Sequence, residues 1–183
     1  NGAESFQGPM FHSGHWDHGV AVEGKRVGVI GSGCSAAQIV PAIAGKVGRL
    51  TLFMGKAQWI LPRSDRQHGP VERAVRILPG IRHAIRLLVF TFYDIRFVAF
   101  RRFPGLAGIS RLVKAHYGRR LKKHLDTYVT DEKVRRHMMP DYELGCRRLI
   151  PTNTYLPALS RENVDVDISG IDRITPTGIR TKD

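Results

Sequence analysis

The feature that most constrains the fold is a glycine-rich turn, Gly31-Ser-Gly33-Cys-Ser-Ala36. It directly follows the β-branched run Arg26–Ile30, which predicts a buried strand. It directly precedes residues 35–44, which have helical composition and end near Gly45, a residue suited to terminate a helix. The sequence therefore predicts a strand, a tight turn and a helix in immediate succession.

This arrangement is typical of a dinucleotide site. The first glycine permits the tight turn, the second lets a pyrophosphate approach the backbone, and the small Ala36 lets the helix pack close to the strand. The start of the helix offers free N–H groups and a partial positive charge to the phosphates. We therefore expect a bound dinucleotide; the alternative is a glycine turn that holds no ligand.

The rest of the chain extends this unit into a domain. A second strand is predicted at 49–54, which gives a β-turn-α-β unit of roughly thirty residues. The further predicted elements are a loop at 58–65, helices at 70–78, 81–102, 108–125 and 130–137 with breaks at Pro79-Gly80 and Pro104-Gly105, a short helix at 155–159, a strand at 164–168 and a hairpin at 174–181. In the second of these helices, the apolar residues Ile81, Ile85, Leu88 and Phe92 predict one helical face.

The predicted fold class is α/β, a Rossmann-like dinucleotide-binding domain with a mostly helical insertion. We expect residues 1–23 to form an interdomain linker and residues 24–66 and 138–183 to form the dinucleotide-binding domain. Residues 67–137 are expected to form the helical insertion.

The end of the second strand bears on the choice of coenzyme. An NAD site usually places an acid there to bond the ribose 2′-OH. This chain has Phe53-Met54-Gly55-Lys56 instead, with no acid and one cation. Lys56 therefore favours NADP over NAD, and Arg49 and Arg63 add positive charge to the prediction. The alternative is that Lys56 is simply a solvated lysine.

The positive charge is concentrated in the insertion. The formal net charge of the 183 residues is +13, and between Val71 and Leu125 thirteen Arg and Lys stand against only Glu72 and Asp94. One interpretation of this basic segment is a solvated rim of the domain or a wall toward the substrate entrance. The other is a weak contact with an anionic membrane surface. Its apolar run is too short and too charged to span a bilayer. A nucleic-acid-binding protein is a further alternative, but the sequence contains no helix-turn-helix, zinc-finger or RNA-binding signature.

Cysteine and histidine usage argues against metal or disulfide chemistry. The chain has two cysteines, Cys34 and Cys146, which favour a reduced, cytoplasmic setting over a disulfide framework. Three histidines at positions 12, 15 and 18 would converge on a metal only from a helix, and Pro9 and Gly14 oppose a helix there. We expect no metal site.

The segment before the glycine turn carries a more specific signal. Its spacing, Phe6-x-Gly8-x-x-x-His12-x-x-x-Trp16-Asp17, resembles the fingerprint of the Baeyer–Villiger monooxygenases. Related flavin-containing monooxygenases usually have Tyr or Phe where this chain has Trp16. The order of the later segments is also similar to this family, so that the resemblance covers nearly the whole chain and is loosest in the helical insertion.

The resemblance implies a function for the complete protein. Members of this family have two dinucleotide-binding domains, one for FAD and one for NADPH, and the NADPH domain interrupts the FAD domain. This chain resembles the NADPH-binding portion. We therefore expect NADP(H) to bind here, FAD to bind elsewhere in the full-length protein, and the isolated chain to be inactive. The implied partners are the FAD-binding domain of the same protein and a small carbonyl substrate, with no nucleic acid.

The resemblance also assigns roles to residues. Ser35 and Gln38 match residues that help to hold the coenzyme. Gly55 stands where the family usually has the Arg that contacts the 2′-phosphate, so Lys56 is the candidate for that contact. Arg147 matches a Lys that assists it, and Arg148 matches the catalytic Arg that lies over the flavin. A guanidinium stays charged at working pH and can stabilise negative charge on oxygen. The candidate cofactor-binding residues are Gly31, Ser32, Gly33, Cys34, Ser35, Ala36, Gln38, Lys56 and Arg147.

Together these observations predict the NADPH-binding domain of an FAD-dependent monooxygenase that converts a ketone to an ester or lactone with O₂. Two alternatives stay open: a flavin monooxygenase that oxygenates nitrogen or sulfur, and a non-catalytic dinucleotide-binding domain.

Overall fold

A computed structural model of the chain describes residues 2–63, 69–78, 80–100 and 107–183. The strands are β1 (Arg26–Ile30), β2 (Arg49–Phe53), β3 (Ile60–Leu61), β4 (Ile150–Pro151), β5 (Val164–Asp167), β6 (Ile171–Thr175) and β7 (Gly178–Thr181). The helices are α1 (Ala36–Ile43), α2 (Pro70–Ile77), α3 (Ile81–Phe100), α4 (Ala107–Tyr128), α5 (Glu132–His137) and α6 (Tyr155–Leu159).

A parallel sheet in the order β1-β2-β5 forms the centre of the molecule. Ile30 of β1 pairs with Phe53 of β2, which pairs with Asp167 of β5. The carboxyl ends of all three strands therefore meet at one edge, where ligands bind in sheets of this kind. The parallel sheet with its covering helices confirms the predicted α/β class.

The core joins this sheet to the helices that cover it. Leu50 and Leu52 of β2 are fully buried in the same core cluster as the buried residues of α1, and α1 contacts α6. The second half of α4 contributes Tyr117, Leu121 and Leu125 to the same core, each of them buried. Apolar area removed from water stabilises this packing.

The expectation that β1 is buried is wrong for the described part of the chain. β1 is an edge strand there, hydrogen-bonded on one side to β2, and Ile30 is 57% exposed. A run of β-branched residues indicates a strand but does not say how many neighbours it has. That number depends on which other segments reach the sheet.

The loop predicted at 58–65 contains a short strand that the sequence did not reveal. Ile60 and Leu61 pair in parallel with Ile150 and Pro151. The Ile150 N–H donates to the Trp59 carbonyl at 2.8 Å, which extends the ladder. Two residues are too few to show an alternating pattern, and the partner lies about ninety residues away along the chain.

The helices of the insertion begin and end close to their predicted bounds. Gly80 has φ +86° and separates α2 from α3, as expected at that break. Pro79 and the break at Pro104-Gly105 lie outside the described residues. The predicted apolar face of α3 is not buried, however, because Ile81, Leu88 and Phe92 are exposed. None of the described helices is both long and apolar enough to cross a bilayer.

The chain termini pack against each other on one side of the sheet. The hairpin formed by β6 and β7 begins at Ile171, three residues before its predicted start. The Gln7 N–H donates to the Pro176 carbonyl at 3.0 Å. The Ile179 side chain lies against Gly28 of β1. The hairpin therefore lies next to β1, and the first residues lie next to the hairpin.

Candidate functional site

The glycine turn lies at the carboxyl edge of the sheet. Gly31 has φ +107°, a backbone conformation that side chains other than hydrogen rarely adopt, and its N–H donates to the Phe53 carbonyl of β2 at 2.9 Å. A Cβ built on Gly33 would meet no atom within 4 Å. The turn is thus fixed to the sheet on one side and open to a ligand on the other.

The start of α1 presents unpaired donors to this open side. No acceptor is found within the described part of the chain for the backbone N–H groups of Gly33, Cys34, Ser35 and Ala36. The Ser35 side chain makes no capping hydrogen bond. Ala36 and Ala37 are buried, so the helix packs closely on the sheet, as the spacing predicted. Unpaired N–H groups and the helix dipole make this position favourable for an anion.

Ser32 connects the turn to the segment that follows β2. Its hydroxyl donates to the Lys56 carbonyl at 2.5 Å, and Ser32 itself is only 6% exposed. The hydrogen bond holds Gly55 and Lys56 beside the glycine turn. The Lys56 side chain is exposed and has no ion pair among the residues that the structure describes.

Cys34 of the glycine turn and Gln38 of α1 are both exposed. The Gln38 side-chain amide donates back to the Cys34 carbonyl at 3.2 Å. Cys34 is a free, exposed thiol, as is Cys146. Gln38 therefore stabilises the glycine turn internally in this structure.

Arg147 reaches the same region through a tyrosine. Its guanidinium carbon lies 4.7 Å from the centre of the Tyr142 ring, a cation–π contact. The Tyr142 hydroxyl donates to the carbonyl of Ala57, the residue after Lys56, at 3.2 Å. Burial raises the pKa of Tyr142, and the neighbouring Arg147 opposes that rise, so the hydroxyl stays protonated as a donor. Tyr142 thereby connects Arg147 to residues 55–57, which are called the Lys56 segment below.

Sequence reasoning did not identify Tyr142. Its only signal was an aromatic residue in turn-rich text five positions before Arg147. Arg148, the candidate catalytic cation, is exposed and lies two residues before β4. No hydrogen bond or ion pair of Arg148 is found in the described ranges, so its guanidinium is available for interactions beyond this chain.

The expectation that Arg49 supports the coenzyme site is wrong. Arg49 is the first residue of β2, whereas the glycine turn lies at the opposite end of that strand, next to Phe53. Four residues of extended strand separate the two ends by roughly 13 Å. Its guanidinium makes two hydrogen bonds to Asp165, at 2.6 and 2.9 Å, which raise its pKa. The Arg63 backbone makes two hydrogen bonds with the Asn153 side chain. The Arg63 N–H donates to Asn153 Oδ1 at 2.8 Å, and Asn153 Nδ2 donates to the Arg63 carbonyl at 2.8 Å.

The fingerprint residues form a local aromatic turn before β1. The Phe6 ring folds over Gly8, where a side chain would collide with it at 2.8 Å. His12 Nδ1 accepts from the Gly14 N–H at 3.1 Å, and Asp17 accepts from the Gly19 N–H at 2.8 Å.

Trp16 packs on the core and meets Phe11 edge to face, with ring centres 5.0 Å apart. His12 thus has a structural hydrogen bond within its own turn.

Known proteins resemble this chain in sequence. Residues 1–81 match the model of the flavin-binding monooxygenase-like family. A Baeyer–Villiger monooxygenase of Streptomyces coelicolor is 39% identical over 94% of this chain, and one of Pseudomonas aeruginosa is 37% identical over 98%. The chain spans about a third of these two relatives, 32% and 33% of their lengths.

Solved structures share the fold. The polycyclic ketone monooxygenase of Thermothelomyces thermophila superposes with a TM-score of 0.80 at 22% identity, over 99% of this chain and 36% of its own. A steroid monooxygenase solved in its oxidised form with NADP superposes with a TM-score of 0.75 at 22% identity, over 99% of this chain and 40% of its own. Over nearly its whole length, the chain described here is therefore similar to flavin monooxygenases, and to Baeyer–Villiger monooxygenases among them.

Proposed function

We propose that this chain is the NADPH-binding part of an FAD-dependent Baeyer–Villiger monooxygenase. One observation carries the proposal: at the carboxyl edge of a parallel sheet, the backbone N–H groups of residues 33–36 have no acceptor in the described part of the chain, and the space beside Gly33 is open. A pyrophosphate fits this position because it is anionic and accepts several hydrogen bonds. The domain bounds predicted from the sequence belong to the same proposal.

Each candidate residue then has a definite task. Gly31 and Gly33 shape the turn, and the N–H groups at the start of α1 bind the pyrophosphate. Lys56 and Arg147 are the cations for the 2′-phosphate, held on one side of the site by the Ser32 and Tyr142 hydrogen bonds. When bound, NADPH would supply a hydride to the flavin of the complete protein.

Arg148 is proposed to act on the partner domain. Its exposed guanidinium is suited to stabilise negative charge on oxygen near the flavin, which is expected to bind outside this chain. The outer edge of β1 and the adjoining hairpin are proposed as the surface against which the rest of the polypeptide packs. Among the described residues no strand pairs with this edge and Ile30 is exposed, and proteins usually cover such an edge.

Two alternatives share the coenzyme site but differ in chemistry. Trp16-Asp17 supports the Baeyer–Villiger type over a monooxygenase that oxygenates nitrogen or sulfur. A non-catalytic dinucleotide-binding domain would bind the coenzyme without consuming it. The two free, exposed cysteines support our proposal that the protein resides in the cytoplasm.

Steady-state kinetics of the full-length protein test the proposed reaction. We expect NADPH consumption that depends on a ketone and on O₂, with an ester or lactone as product. Product formation from an amine or sulfide but from no ketone would favour the first alternative. NADPH binding without turnover would favour the second.

Substitutions in the turn test the coenzyme site itself. Gly33→Ala should weaken NADPH binding roughly tenfold or more, equivalent to at least about 1.4 kcal/mol, because the new methyl group occupies the open space. Gly118→Ala is the matched control, since a Cβ there also meets nothing within 4 Å but lies on α4. Lys56→Gln should weaken NADPH binding more than NADH binding, and Lys46→Gln should change neither. Unchanged NADPH affinity in both site variants, measured by calorimetric titration, would contradict the assignment.

A further inference from the structure

Exposed apolar side chains are concentrated on the first part of the insertion. Among the described residues, fourteen large hydrophobic side chains are exposed, and eleven of them lie between Val71 and Leu112. Exposed apolar clusters of this size mark sites of interaction with another apolar surface. They keep this exposure although α3 contacts both α2 and α4.

One turn of α3 is apolar and exposed in every direction. The consecutive residues Leu87, Leu88, Val89 and Phe90 are 65%, 70%, 49% and 63% exposed. Four residues complete one turn of an α-helix, so they point to all sides. A protein partner with one docking face would cover only part of such a turn. A fluid hydrocarbon layer can surround it.

Cations lie directly before this turn. Arg82 and Arg86 are one helical turn apart, both are exposed, and neither has an ion pair among the described residues. The insertion as a whole has thirteen Arg and Lys and two acids between Val71 and Leu125. Such a surface is complementary to an anionic one, and arginine stems can follow apolar surface while their charged ends stay in water.

We propose that α2 and the first half of α3 bind the surface of an anionic phospholipid bilayer. The exposed apolar turn enters the region below the headgroups, and Arg82 and Arg86 bind lipid phosphates. The contact is peripheral, since no described helix is long and apolar enough to cross the bilayer. This interaction is independent of the proposed coenzyme site, which lies at the sheet edge.

Vesicle sedimentation of the full-length protein tests the proposal. We expect binding to vesicles that contain about 30% anionic phospholipid at low salt, little binding to zwitterionic vesicles, and a severalfold loss of binding at high salt. Equal sedimentation with both kinds of vesicle, or none with anionic vesicles at low salt, would overturn the proposal.

Two pairs of variants assign the contact to α3. Leu88→Gln with Phe90→Gln should abolish most of the binding, and Met139→Gln, an exposed methionine after α5, should not change it. Arg82→Glu with Arg86→Glu should also abolish it, whereas Lys25→Glu with Lys46→Glu, which removes the same charge from the sheet domain, should retain most of it. Loss of binding in the control variants to the same degree would refute a specific α3 contact.

Chemical labelling distinguishes lipid from a protein cover. In a Leu88→Cys variant the new thiol should react with a maleimide in solution and become protected when anionic vesicles are added, as read by peptide mass spectrometry. Protection of the thiol without vesicles would show that protein covers this turn. If dilution removes the protection, the cover is a second copy of the protein, and if it does not, the cover is the rest of the same polypeptide. Either result would overturn the lipid assignment.

Discussion

Helices α3 and α4 belong to the same basic insertion and have nearly the same length, yet their side chains meet opposite surroundings. In α4, Tyr117, Leu121 and Leu125 repeat every fourth residue and are buried in the core. In α3, apolar residues 87–90 surround the helix and are exposed. A narrow apolar stripe can be buried by one neighbour, whereas an apolar ring requires cover from all sides. The comparison shows that helix formation and helix burial are separate outcomes.

The largest effect expected from this comparison is on stability. Leu125→Ala should lower the free energy of unfolding by roughly 2–5 kcal/mol, because it removes a fully buried side chain and leaves a cavity. Leu88→Ala should change it by less than about 0.5 kcal/mol, because that side chain is already exposed. Denaturant unfolding of both variants measures the difference. Equal losses would mean that α3 is buried in the protein in solution.

A smaller effect is expected in the pH dependence of stability. Burial lowers the pKa of His124 on α4 below its ordinary value of 6.5, and the charge of nearby Arg120 lowers it further. A hydrogen bond to the Thr152 backbone opposes this change and raises the pKa, but by less. The folded state therefore favours the neutral ring. The fold is therefore fully stable with respect to this histidine above the ordinary pKa of His124. The free energy of unfolding decreases as pH falls below about 6.5 toward the lower pKa of the folded state.

Substitution isolates this contribution. His124→Gln should flatten the fall in unfolding midpoint between about pH 7.5 and pH 5 relative to the wild type. His83→Gln, on the exposed part of α3, should leave that fall unchanged. A thermal unfolding series across this range measures both variants. The same flattening in each would contradict the distinction between the two helices.

The smallest effect concerns surface charge. Asp126 on α4 accepts a hydrogen bond from Lys122 at 2.7 Å and lies 3.6 Å from Arg135 on α5. The hydrogen bond from Lys122 is the main reason that the pKa of this carboxyl lies below its ordinary value. The carboxylate therefore stabilises the fold above its ordinary pKa, and the stabilisation is lost as pH falls through the lowered value.

Because these charges are exposed, Asp126→Asn should lower the unfolding midpoint only slightly, and the loss should disappear in high salt. Asp94→Asn, an exposed acid on α3, is the control and should have no effect. Thermal unfolding at two salt concentrations measures this. A salt-independent loss in Asp126→Asn would mean that packing, and not charge, explains it.

Local signals in the sequence predicted much of the fold. The bounds of α1, α2, α5 and α6 were each predicted to within two residues, since caps, breaks and apolar periodicity act over a few neighbouring positions. The positive φ of Gly31, the open space at Gly33 and the buried Ala36 agree with the geometry that the spacing predicted. The short strands β3 and β4 could not be predicted, because their pairing joins distant segments.

The sequence by itself determined where most of the helices and the longer strands form and where the glycine turn lies, because backbone conformation depends mainly on adjacent residues. Only the tertiary structure decided that Arg49 binds Asp165 and that Tyr142 joins Arg147 to the Lys56 segment. It also decided that β1 lies at an edge of the described sheet and that the apolar turn of α3 is exposed. Each of these depends on contacts between residues far apart in the chain, which no local pattern specifies.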